Sequence, residues 1–225
     1  MLKANKKRWF EKVFYVYNRN LLNRRFHSFQ VSGLEHLTKR KVEIPTIIYC
    51  NHSSWWDGLA AFHINRQTKL DGYWMMEENQ LKNLQPFRKL GAFSVVKESP
   101  REVLKSINYS VRLLKEKKNR AIWIFPQGEI MPNDLRPIKF YNGISRIVEK
   151  AEKCQLFCVA MRYEFLGNFK PDIFINIKES EIIKVDEHFD SKVFMKKLSD
   201  KLTENLAELK NYILENNLKD FSNII

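Results

Sequence analysis

The sequence has few of the residues that punctuate or cross-link a chain. Seven glycines and seven prolines in 225 residues leave no flexible linker, low-complexity block or internal repeat. The chain therefore reads as one folded domain, long enough for a sizeable core. Its three cysteines, Cys50, Cys154 and Cys158, form no CxxC pair. This excludes a dithiol redox motif or a thiolate metal cluster and fits idle, buried thiols in a reducing compartment. No apolar run approaches the roughly 20 residues that span a bilayer. The opening MLKANKKRWFEKVFYVYNRN carries charges where a signal peptide has its apolar segment. These absences predict a cytoplasmic protein that meets any membrane from one side. Negative charge is also scarce: 39 Lys and Arg stand against 26 Asp and Glu, a formal net charge of +13. Such a surplus suits an anionic partner, whether nucleic acid, an anionic membrane surface or a phosphate-bearing carrier. The basic residues fall in small clusters at 3–8, 24–25, 39–41 and 115–120. No nucleic-acid-binding module is recognisable among them, which sets nucleic acid aside.

Periodic apolar segments fill the rest of the chain. Over residues 8–29, Trp9, Phe10, Val13, Phe14, Tyr17, Leu21 and Leu22 recur at helical spacing. Lys6, Lys7, Arg8, Lys12, Arg19, Arg24 and Arg25 surround them. Residues 1–30 thus read as an amphipathic N-terminal helix. It is suited to an anionic membrane interface, to packing on its own domain, or to both. Residues 31–225 then alternate strand and helix. Strands are expected at 43–50, 70–76, around GAFSVV, at 121–125, 155–161 and 172–177. Helices are expected from Asp57, toward Arg88, over 100–118 and over 189–215. The wholly apolar AIWIF suits the centre of a sheet covered on both faces. The pattern predicts an α/β fold with a largely parallel central sheet flanked by helices. Ligands of such sheets bind beyond the carboxyl ends of the strands.

Two polar clusters fall at such ends. NHSSWWD follows the strand at 43–50. In it His52 is a candidate general base, and Asp57 can hold its other ring nitrogen and fix the tautomer. The two fit together if His52 lies in the loop and Asp57 opens the next helix, with Asn51, Ser53 and Ser54 bracing the loop. PQGE follows the strand at 121–125. Neither Ser53 nor Ser54 sits in a GxSxG elbow, so a serine hydrolase is not indicated. Trp55, Trp56, Phe62, Tyr73, Trp74, Met75, Met76 and Phe93 are candidates for an apolar groove, and equally for core.

Taken together, these blocks resemble the glycerolipid acyltransferase family, the lysophosphatidate-acyltransferase-like enzymes. NHSSWWD resembles the family's NHxxxxD motif and FPQGE at 125–129 its FPEGTR motif. GAFSVVK at 91–97 and QLFCVAMR at 155–162 resemble the two blocks between and after them. The resemblance implies transfer of an acyl group from acyl-CoA or acyl carrier protein to a hydroxyl of a lipid acceptor, without metal or prosthetic group. It also implies frequent attachment to membranes. Under it His52 is the base and Asp57 its partner, and backbone N–H groups in the turn around Gly128 are candidates for the oxyanion. Asn51, Trp55, Trp56, Lys97, Gln127, Gly128, Glu129 and Arg136 become candidates for substrate binding.

Three departures bear on the acceptor. Gln127 replaces the family's glutamate, Glu129 and Ile130 replace its threonine and arginine, and Lys97 stands where arginine is common. Losing the arginine weakens a phosphate site, and a carboxylate is better suited to sugar or polyol hydroxyls. A glycosylated lipid, a glycosylated carotenoid included, is the acceptor expected from this turn. A standard lysophosphatidate acceptor held by Lys97 and Arg136 is the alternative. A thioesterase and a catalytically idle, membrane-binding relative remain as further readings.

Overall fold

A computed structural model describes all 225 residues. The first helix, α1, runs Arg8–Arg25. It stops before the expected residue 29 because Phe26 is already extended and Phe29–Ser32 forms a strand, β1. A five-residue helix α2, Leu34–Thr38, leads to β2, Thr46–Cys50. Then come α3 (Asp57–Gln67), β3 (Asp71–Glu77), α4 (Glu78–Asn83), a 3-10 turn Gln85–Leu90, and β4 (Ala92–Val95). Helix α5 spans Pro100–Glu116, with Pro100 in its first turn and the Ser99 hydroxyl accepting from the Glu102 N–H. Strand β5 (Arg120–Ile124), helix α6 (Gly143–Ala151) and the long β6 (Lys153–Glu164) follow. The chain closes with β7 (Asp172–Ile177), β8 (Glu181–Lys184), α7 (Ser191–Leu214) and a two-residue β9 (Ser222–Asn223).

These strands make one sheet in the order β4-β3-β5-β2-β6-β7-β1-β9, with β8 also paired to β6. The five strands from β4 to β6 are parallel, as the pattern predicts. Beyond β6 the sheet is mixed. β7 runs antiparallel to β6, β1 parallel to β7, and β8 and β9 antiparallel to their neighbours. The cause is local: residues 165–171 are too few for a crossover helix, so β6 must turn back on itself.

Alternation along each strand divides the core into two layers. Ile47 and Tyr49 of β2, with Ile122 and Ile124 of β5, meet α5, α6 and α7 on one face. Ile48 and Cys50, with Trp123, meet α3 and the C-terminal part of α1 on the other. All three cysteines are buried and free. The apolar stripe of α1 is split in the same way. Leu22 is in the core, and Phe10 and Phe14 pack against it. Trp9, Val13, Val16 and Tyr17 point outward, each 58% to 61% exposed. No helix is long and apolar enough to cross a membrane.

Candidate active site

β2 and β5 are adjacent and parallel, so their carboxyl ends lie side by side. The loop after β2 carries residues 51–56, and the turn after β5 carries 125–130. The two are tied together: the His52 N–H donates to the Gln127 side-chain oxygen at 2.7 Å, and the Met131 N–H donates to the His52 carbonyl at 2.8 Å.

Asp57 opens α3, is fully buried, and organises the loop around its carboxylate. One oxygen accepts from His52 Nδ1 at 2.8 Å and from the Ser53 and Ser54 N–H groups at 2.8 and 3.0 Å. The other accepts the Tyr163 hydroxyl at 2.6 Å. A carboxylate that accepts from four donors at a helix amino terminus is held immobile. Asp57 Oδ2 is filled by donors, so His52 Nδ1 carries its hydrogen toward it, and the acceptor position of the imidazole falls on Nε2. Nε2 has no protein partner. Burial, with the Asp57 charge beside it, pushes the Tyr163 phenol well above its ordinary value, so it remains a donor. The His52 ring is steadied by Phe125, 4.6 Å away between centroids.

His52 lines a cavity of about 950 Å³ with a mostly apolar wall. Trp55, Phe62, Trp74, Met75 and Met76 are in that wall. Tyr73 and Phe93 are core instead. Trp56 packs edge-on against Phe26, 5.0 Å away, on the far side of the loop from the cavity. Among the polar candidates, Lys97, Gly128 and Glu129 line the cavity. Lys97 Nζ donates to the Gly128 carbonyl at 2.6 Å and lies 4.0 Å from the Glu77 carboxylate. Gly128 has φ +73°, and the Tyr141 ring lies 2.7 Å from where a Cβ would sit, so only glycine fits this turn.

Three expectations about contact with substrate are corrected. Asn51 is buried and spent on the scaffold: it bonds Asn133, the Met161 carbonyl and the Met161 N–H, tying β2 to β6. Gln127 holds His52 rather than facing the cavity. Arg136 is turned onto its own loop, donating to the Asn133 and Leu135 carbonyls, and does not reach the cavity. The Gly128 N–H is likewise committed, to the Phe125 carbonyl at 2.9 Å. The next two N–H groups, of Glu129 and Ile130, have no protein acceptor, and both residues line the cavity.

Tyr163, Glu77 and Arg146 belong to this region without any signal in their local sequence. Tyr163 lies one residue past the last recognisable block. Arg146 projects from α6 into the cavity lining and makes no ion pair.

A strand-end histidine held by a buried carboxylate at a helix start can be compared with known proteins. A family model described as "Acyltransferase" matches residues 28–162, more than half of the chain and including every residue of the His52–Asp57–Tyr163 region except Tyr163 itself. No curated protein sequence matches. Among solved structures, the 1-acyl-sn-glycerophosphate acyltransferase PlsC from Thermotoga maritima is similar in fold, with a TM-score of 0.65 at 18% identity. The similarity covers 89% of this chain and 79% of that one. The protein therefore belongs to the acyltransferase family, and is an acyltransferase by that membership.

Proposed function

We propose that the enzyme moves a fatty acyl group from a thioester donor to a hydroxyl of a membrane-borne lipid, with His52 as general base. The observation that carries this is the 2.8 Å pair between His52 Nδ1 and buried Asp57, which leaves Nε2 facing the cavity. The acceptor hydroxyl gives its proton to Nε2 as its oxygen attacks the thioester carbonyl carbon. Asp57 stabilises the imidazolium that forms. The tetrahedral oxyanion meets the free N–H groups of Glu129 and Ile130. Its collapse re-forms the carbonyl and breaks the C–S bond, and the departing thiolate takes the proton back from the imidazolium. No acyl-enzyme is needed. The donor is acyl-CoA or acyl carrier protein, whose thioesters share one chemistry.

The altered turn supports a hydroxyl-rich acceptor such as a glycosylated lipid, including a glycosylated carotenoid. Glu129 and Glu77 line the cavity as hydrogen-bond acceptors, while Arg136 is directed elsewhere. Lysophosphatidate is the second reading. Lys97 supports it, because only one of its three donors is spent on the Gly128 carbonyl.

The outward stripe of α1, with Arg8, Lys12, Arg19, Arg24 and Arg25 along the same helix, supports docking on an anionic bilayer. Exposed Phe165, Leu166 and Phe169 lie beside the end of α1, since Lys170 Nζ donates to the Asn23 carbonyl. Their exposure supports a second apolar contribution to the same docking.

Two assays test these points. Thiol release from a long-chain acyl donor, CoA and carrier-linked in turn, is followed while lysophosphatidate, other lysophospholipids or a glycolipid is supplied in anionic vesicles. Release that needs an acceptor and is greatest with the glycolipid is expected. A much higher kcat/KM for lysophosphatidate sinks the glycolipid reading, and acceptor-independent release makes the enzyme a thioesterase. Co-sedimentation with the same vesicles should fall for a Trp9→Ser, Tyr17→Ser double variant; unchanged sedimentation removes α1 as the docking face.

A further inference from the structure

The cavity reaches both faces of the sheet. Successive residues of a strand point to opposite sides, yet Trp74, Met75, Met76 and Glu77 of β3 all line it. Ala92 and Val95 of the neighbouring edge strand β4 also line it, and their three-residue separation again puts them on opposite faces. A single groove on one face cannot collect such a lining. The cavity instead passes around the carboxyl ends of β3 and β4 and opens into both helical layers. One arm lies under α1 and α3, walled by Phe14, Phe62 and Phe87. The other lies under α5 and α6, walled by Val103, Ile107 and Ile147. His52 and Phe125, at the strand ends, belong to the same cavity.

We infer that the two arms hold two different lipid chains at once: the acceptor's chain in the arm under α1 and α3, and the donor's acyl chain in the arm under α5 and α6. The assignment rests on the acyl-transfer reading and adds to it. Both substrates of such a reaction carry an apolar tail, and both reacting groups must meet at His52 Nε2. Two tails in one arm would have to lie against each other on the way to one point. Two arms that join near the histidine remove that conflict.

The surroundings of each arm decide which tail it takes. Phe14 comes from α1, the helix that also carries the exposed Trp9, Val13, Val16 and Tyr17 and the unpaired basic residues, so this arm borders the surface suited to a bilayer. The other arm borders α6, which brings the unpaired Arg146 guanidinium to the cavity lining. A guanidinium suits the phosphates of a soluble, phosphopantetheine-bearing donor. The membrane lipid and the soluble donor thus approach from opposite faces of the sheet.

Two glycines allow a matched test. Gly58 on α3 and Gly143 on α6 both line the cavity, and a Cβ added at either meets no atom within 4 Å. Gly58→Leu and Gly143→Leu therefore grow a side chain into one arm each without disturbing the packed core. In the full-length enzyme, Gly143→Leu should move the donor preference to shorter acyl chains. The expected loss is about tenfold in kcat/KM for the longest donor relative to the shortest, the scale on which pockets discriminate chain length. Acceptor KM should not move. Gly58→Leu should raise the KM of a long-chain acceptor about tenfold relative to a short-chain analogue, with the donor profile unchanged. Both variants shifting the same substrate, or the reverse pattern, overturns the assignment while leaving acyl transfer intact. Absence of acyl transfer by the unsubstituted enzyme removes the function reading itself, and the assignment with it.

Discussion

Two histidines close together in the chain show how differently one fold can place an imidazole. His52 lies in the loop before α3, its side chain 23% exposed, with one ring nitrogen on buried Asp57 and the other open to the cavity. His63 lies within α3 and is fully buried. Its Nε2 donates to the Ile224 carbonyl at 3.0 Å, its Nδ1 has no partner, and its ring stacks near Tyr15 and Phe29. Burial lowers its pKa, so it stays neutral within the core. What differs is the environment of the two nitrogens: His52 is braced by a charge on one side and free on the other, while His63 meets a neutral carbonyl on one side and apolar packing on the other.

The sharpest way to break this comparison is to exchange the consequences. His52→Ala should lower kcat by about 10²–10⁴-fold, the usual range for loss of a general base. Its melting temperature should change little, because the loop remains held by the Asp57 bonds to Ser53, Ser54 and Tyr163. His63→Ala should behave in the opposite way, keeping activity and lowering stability by creating a cavity beside Tyr15 and Phe29. Steady-state kinetics and thermal melts of both variants decide it; a His52→Ala enzyme retaining more than a tenth of wild-type kcat would falsify the role of His52.

Tyr163 sharpens the contrast at one remove. Tyr163 does not line the cavity, and its hydroxyl is spent on Asp57, so any effect it has on the proposed reaction is that of a positioning residue. Tyr163→Phe leaves a buried carboxylate oxygen without its donor, a loss of roughly 1.5–3 kcal/mol for a hydrogen bond to a charged group. If about half of that reaches the transition state, kcat falls on the order of tenfold with KM unchanged. A merely structural tyrosine would lower the melting temperature and leave kcat alone, and that outcome would remove it from the site.

The same contrast marks how far the sequence could be read. The parallel half of the sheet, His52 and Asp57 were legible because each is set by residues within one strand-loop-helix segment. β6 and β7 were legible as strands, but their antiparallel pairing and the strand β1 were not. β1 is four residues long and follows a helical pattern that runs into it, and the return of β6 depends on a short connection rather than on periodicity. Asn51 and Trp56 sit inside the most recognisable block, yet one knits β2 to β6 and the other packs on Phe26. Their neighbours come from distant parts of the chain, and no local spacing encodes that. Tyr163 and Arg146 were missed for the same reason. The acceptor-side candidate Arg136 failed because its guanidinium is satisfied by the carbonyls of its own loop.

The smallest expected effect concerns pH and belongs to His63. Its folded pKa is lowered from 6.5 by burial, against the opposing pull of the Ile224 carbonyl. Below pH 6.5 the unfolded chain takes up a proton that the folded chain refuses, so the stability this histidine supports above that pH is lost as the solution is acidified. The slope is at most about 1.4 kcal/mol per pH unit and ends once the folded pKa is reached. His63→Phe keeps the aromatic packing and removes the titration, at the cost of the Ile224 hydrogen bond, about 0.5–1.5 kcal/mol. The variant should therefore melt slightly below wild type at pH 7.5, and the gap should shrink or invert by pH 5.5. Melting curves of both proteins across that range measure it directly. A gap that stays constant means that His63 accepts a proton within the fold, and the line drawn between the two histidines then rests on the carboxylate partner alone.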